Sequence, residues 1–67
     1  MASSPRQLAL LIRLPEVRQK VGMSKSQIYK LIAQDKFPKP LKVSHRISCW
    51  VAAEIDEWVQ ELIAGRD

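Results

Sequence analysis

The run Gly22-Met23-Ser24-Lys25-Ser26-Gln27-Ile28 stops one helix and starts another. Glycine can adopt the left-handed backbone conformation that ends a helix. Ser24 and Gln27 have the S-x-x-Q spacing of a capping box, in which the hydroxyl meets the N3 amide and the Gln side chain reaches back. Met23 and Ile28 hold the two positions of a hydrophobic staple around that cap. A helix is therefore predicted from Lys25 to about Gln34. Ile28, Leu31 and Ile32 form its buried stripe, while Ser26, Lys30, Ala33 and Gln34 project away from it. Upstream, Pro15 suits a first helical position, and Leu14, Val17 and Val21 fall on one apolar face. Two short helices joined by so tight a turn are the signature of a helix-turn-helix.

Two such helices bury too little, and a chain of 67 residues must use nearly all of itself to close one core. Phe37-Pro38-Lys39-Pro40 cannot be helical, because each proline disfavours helix at the residue before it. Leu41, Val43, Ile47 and Cys49 then alternate with Lys42 and Ser48. A three-residue turn at Ser44, His45 and Arg46 pairs residue 43 with 47 and 41 with 49, which puts the four apolar side chains on one face. No Asn-Gly or Asp-Gly specifies the turn type. A hairpin with a basic tip after a helix-turn-helix is a wing. Val51, Ile55, Trp58, Val59, Leu62 and Ile63 make the apolar stripe of a last helix, and Trp50 and Trp58 read as core. The expected fold is mainly α with a small β-hairpin, a winged helix-turn-helix over residues 11–65 preceded by a loose tail over 1–10.

The charge is unevenly placed. Residues 13–46 hold nine basic groups (Arg13, Arg18, Lys20, Lys25, Lys30, Lys36, Lys39, Lys42, Arg46) against Glu16 and Asp35, a net of +7. Residues 47–67 hold only Arg66 against Glu54, Asp56, Glu57, Glu61 and Asp67, a net of −4. A basic block beside an acidic helix is the electrostatic footprint of a nucleic-acid binder. A membrane surface is a poorer fit, since Gly22, Pro38 and Pro40 break the basic stretch that an amphipathic anchor needs. The apolar run Leu8–Ile12 is too short to span a bilayer and Arg13 cuts it off too early for a secretory signal, so an intracellular, cytoplasmic location is expected. The single Cys49 excludes an internal disulfide and any zinc site built on paired cysteines. No nucleophile–base pair, phosphate loop or metal-ligand cluster can be written from these residues. Glu54, Asp56 and Glu57 read as a solvated helix face. A binder with no cofactor and no metal is expected, and not an enzyme.

Arg13-Leu14-Pro15-Glu16-Val17, Gly22-Met23-Ser24, Ile28-Tyr29, Phe37-Pro38-Lys39, Arg46, Trp50 and Glu54-Ile55-Asp56-Glu57-Trp58 together resemble the AlpA family of prophage regulators. That family is similar to excisionases and to the DNA-binding domain of MerR-type regulators, and the likeness covers roughly residues 11–63. It implies a small winged-helix protein that binds DNA and regulates genes, or excision, of a phage or mobile element. Two departures stand out. Ser44 and Cys49 occupy positions where the family commonly has glycine, which predicts a wing that is tilted or less tightly turned. Asp35-Lys36 replaces a link that often contains glycine.

On this reading Ser26, Gln27 and Lys30 face the bases of the major groove, with Gln27 also committed to the capping box. Lys25, Tyr29, Lys39 and Lys42 meet the DNA backbone, and His45 and Arg46 at the wing tip reach backbone or minor groove. His45 has no second ligand nearby in sequence for a metal. The expected function is sequence-specific transcriptional control, with an excision factor that bends DNA and recruits an integrase as the nearer alternative and a protein-binding adaptor as the distant one. Expected partners are double-stranded DNA, further copies of the chain on adjacent sites, and an integrase or RNA polymerase.

Overall fold

The computed structural model describes residues 10–66, ordered β1 (Leu11–Ile12), α1 (Leu14–Val21), α2 (Lys25–Ala33), β2 (Leu41–Ser44), β3 (Ile47–Val51) and α3 (Ala52–Ala64). α1 and α2 start where nearby side chains supply hydrogen-bond partners for orphan amides. At α1 the Glu16 carboxylate accepts from the Arg13 backbone N–H at 3.0 Å, and Pro15 falls one residue later than expected, at the second helical position. At α2 the capping box forms in both directions: the Gln27 N–H donates to Ser24 Oγ at 3.3 Å, and the Ser24 N–H donates to Gln27 Oε1 at 3.1 Å.

Between the two helices Gly22 has φ 68°, and its N–H closes on the Arg18 carbonyl at 2.8 Å. A Cβ placed there would meet nothing within 4 Å. The glycine is needed for its backbone angle and not for space. Gly22→Ala should therefore cost about 1–2 kcal/mol of left-handed strain, visible as a melting temperature lowered by about 4–8 °C per kcal/mol. A melt unchanged within a degree would show that the turn relaxes.

The core is Val17, Ile28, Phe37, Trp50 and Ile55, one residue each from α1, α2, the segment after α2, β3 and α3. Trp50 is 1% exposed. Residues 36–40 lie outside the helices and strands, so their carbonyls need side-chain donors. The two tryptophans supply donors to two of these carbonyls. Trp50 Nε1 donates to the Pro38 carbonyl at 3.1 Å and Trp58 Nε1 to the Lys36 carbonyl at 2.9 Å, with Phe37 packed edge-on against Trp58 at 4.7 Å. An exposed Lys20–Asp56 ion pair of 2.8 Å ties α1 to α3.

Three expectations need correction. First, the wing pairs Leu41 with Cys49 as expected, but Ser44, not Val43, opposes Ile47, with a register shift between Lys42 and Ser44. The turn is two residues, His45-Arg46, and Val43 is the extra residue of a bulge. The local cause is Ser44, whose Oγ accepts from the Arg46 N–H at 3.3 Å and draws the turn in. Among the described residues only Gly22 and Asp35 have positive φ, so the turn is not the mirror-image type that demands glycine, and the bulge supplies the twist instead. Ser44 and Cys49 thus sit without strain where glycine was expected. The four apolar wing residues do not share a buried face: Leu41 and Val43 are 49% and 56% exposed.

Second, the apolar stripe of α3 runs past the core. Ile55 is buried, whereas Leu62 and Ile63 are exposed. A helix of 13 residues extends about 20 Å, longer than the eight-residue α1 against which it packs.

Third, a short strand was not foreseen. β1 pairs antiparallel with β3, Leu11 opposite Val51 and Ile12 opposite Trp50, giving a sheet of order β1-β3-β2. The tail expected over residues 1–10 lies outside the described residues except for Leu10, whose carbonyl accepts from the Ala52 N–H at 2.9 Å.

At the α2 exit, in the link where glycine was expected to be common, Asp35 has φ 59°. Aspartate is among the few residues that tolerate this left-handed conformation.

Candidate nucleic-acid interface

Ser26 and Lys30 lie one turn apart on α2, opposite buried Ile28, and both are exposed. They are free to meet a surface laid against the helix. Gln27 is exposed but its Oε1 is occupied, accepting from the Ser24 N–H and lying 3.3 Å from Ser24 Oγ. In this position it has only its amide NH2 to offer, and the two-handed donor–acceptor pair that an adenine requires is not open to it.

Lys25 stands at the first position of α2, whose first turn carries no acidic residue. A cation at the positive end of a helix dipole is unfavourable to the helix by a few tenths of a kcal/mol or more. The α2 start is thereby left strongly electropositive. Tyr29, 38% exposed, is held edge-on against Trp50 at 6.2 Å between ring centres, half packed and half free.

Lys25, Tyr29 and Arg46 line one groove of about 610 Å³, formed between the starts of α1 and α2 and the wing. Ser48 lines it too, and Lys42 is its cross-strand partner, so Lys42 lies on the same sheet face. His45 is exposed in the turn beside Arg46. Lys39 stands apart, in an exposed ion pair with Asp35 at 3.0 Å. Such a pair is worth about 0–1 kcal/mol and exchanges readily for another anion. Among the described residues, Lys25, Lys30, Lys42 and Arg46 make no ion pair.

Arg13 also lines the groove, a residue counted in the basic block and the family motif but given no role at DNA from the sequence. It lies 33 residues from Arg46 along the chain, and the pairing of Ile12 with Trp50 fixes the chain immediately before it against β3. No cluster of three or more potential metal ligands occurs among the described residues, and none of their helices is long and apolar enough to cross a membrane.

A capped helix-turn-helix, a basic two-stranded wing and a cationic groove between them define a small winged helix-turn-helix protein. The chain belongs to the AlpA family, whose model, described as prophage CP4-57 regulatory protein (AlpA), matches residues 10–63. It is 36% identical over 55 residues to the uncharacterized protein ORF88 of Enterobacteria phage P4, a match taking in 82% of this chain and 62% of the phage protein. The chain thus spans less than two thirds of that relative's length. It is 34% identical over 62 residues to the DNA-binding transcriptional activator AlpA of Escherichia coli, covering 84% of this chain and 89% of the activator. No solved structure gives a significant match.

Proposed function

We propose that the protein is a sequence-specific, double-stranded DNA-binding transcriptional regulator of a prophage or mobile element. In this reading α2 enters the major groove and the wing lies on the adjacent backbone or minor groove. The observation that carries it is the convergence of Lys25, Arg46 and Tyr29 on one groove beside the free outer face of α2, within a chain of the AlpA family. Ser26 and Lys30 are the base readers, and Gln27 contributes as a donor only. Lys25, Tyr29, Lys42 and, once released from Asp35, Lys39 meet phosphates, as do His45 and Arg46 at the wing.

A single module of this kind covers only about 600–1,000 Å² at DNA. Useful discrimination among genomic sites therefore calls for further copies on adjacent sites or for a bound RNA polymerase or integrase. The likeness to a transcriptional activator favours control of transcription over an excision role.

The test is binding to random and to selected duplexes at low salt. Lys30→Ala should weaken selected sites by about 1–3 kcal/mol and random DNA much less. Lys42→Ala should weaken both alike. Equal losses for Lys30→Ala on both would remove Lys30 as a base reader, and no binding of the wild-type chain to any duplex would overturn the reading.

A further inference from the structure

We infer that the groove between α1, α2 and the wing seats one phosphodiester of the DNA backbone, and that Arg13 holds it together with Arg46 and Lys25. This rests on the DNA-binding reading and adds to it a residue and a place for the phosphate.

The charged part of the groove's lining matches an oxyanion. Arg13, Lys25 and Arg46 bring three cations to it. None of the three is in an ion pair with another described residue. Glu16 is the only carboxylate there, and it is turned to its own task, accepting the Arg13 backbone N–H at 3.0 Å to cap α1. Guanidinium and ammonium groups are donors without acceptors, whereas a phosphodiester offers acceptors and a fixed negative charge. Trp50 forms part of the wall, and a low-polarity wall strengthens the attraction between charges beside it.

The groove also gives the short strand β1 a purpose. Two residues of strand contribute little stability, yet Ile12 opposite Trp50 fixes the chain immediately before Arg13. The side chain of Arg13 takes no part in the α1 cap, whose hydrogen bond uses the backbone N–H. The guanidinium is therefore free for a ligand. A phosphate held there anchors the DNA strand between the α2 start and the wing tip, which sets the depth at which α2 enters the groove.

The experiment is a salt titration of full-length wild-type, Arg13→Gln, Arg13→Lys and Arg46→Gln chains on a random duplex. Arg13→Gln should bind about tenfold more weakly, with a log–log salt slope smaller by less than 1 because Arg46 and Lys25 still face the same phosphate, and an unchanged melting temperature. Arg13→Lys should keep the wild-type slope, because it keeps the charge. The double variant Arg13→Gln/Arg46→Gln should lose less than the product of the two single losses, since both side chains hold one phosphate. Wild-type affinity and slope in Arg13→Gln would overturn the groove assignment and leave the DNA reading standing. Failure of the wild-type chain to bind any duplex would overturn both.

Discussion

Trp50→Ala should leave the chain without a cooperative thermal transition and without affinity for DNA. Trp50 is 1% exposed and packs with Val17, Ile28, Phe37 and Ile55. Truncating a buried tryptophan costs about 3–5 kcal/mol. The lost indole N–H also strands the Pro38 carbonyl, which it holds at 3.1 Å. A domain of this size has roughly 3–10 kcal/mol of total stability, commonly the lower half of that range when a single small core supplies it. The substitution therefore consumes most or all of the margin. DNA binding falls with it, because Tyr29 leans on this ring and the groove that holds Lys25 and Arg46 includes it. Circular dichroism at 222 nm during heating reads the first effect. A cooperative melt within about 10 °C of wild type would mean that the five-residue core is not what holds the wing to the helices.

The affinity for DNA should collapse with salt. Four to six cations on the α2 and wing surface neutralise phosphates, and each displaced counterion contributes about 0.9 to the slope of log K against log salt, giving roughly −4 to −5. Between 50 and 200 mM salt that is a loss of about 250- to 1,000-fold. Fluorescence anisotropy with a labelled duplex reads the slope directly. A slope between 0 and −1 would mean that DNA is not held by these side chains.

The helix-turn-helix was legible because its signals are local. The stop at Gly22, the box of Ser24 and Gln27, and the spacing of Ile28, Leu31 and Ile32 all act within two turns of one another. The α3 stripe was legible for direction but not for extent: periodicity shows which face is apolar, and only the shorter α1 beneath it shows where cover ends. The wing bulge was not legible, because alternation alone favoured pairing residue 43 with 47, while one hydroxyl at Ser44 shortened the turn and threw Val43 out of register. β1 was hidden in an apolar run whose strand character depends on β3, nearly forty residues on. Arg13 was missed for the same reason. Its place beside Lys25 and Arg46 is a product of tertiary pairing, and no spacing rule along the chain encodes it.

The most direct test of the central claim is an amide chemical-shift map of the protein titrated with a short random duplex at low salt. The account predicts shifts concentrated at Arg13, Lys25 to Lys30, and Lys42 to Ile47, with the outer face of α3 at Glu54, Glu57 and Glu61 undisturbed. Shifts centred on α3 with α2 and the wing unchanged would contradict it.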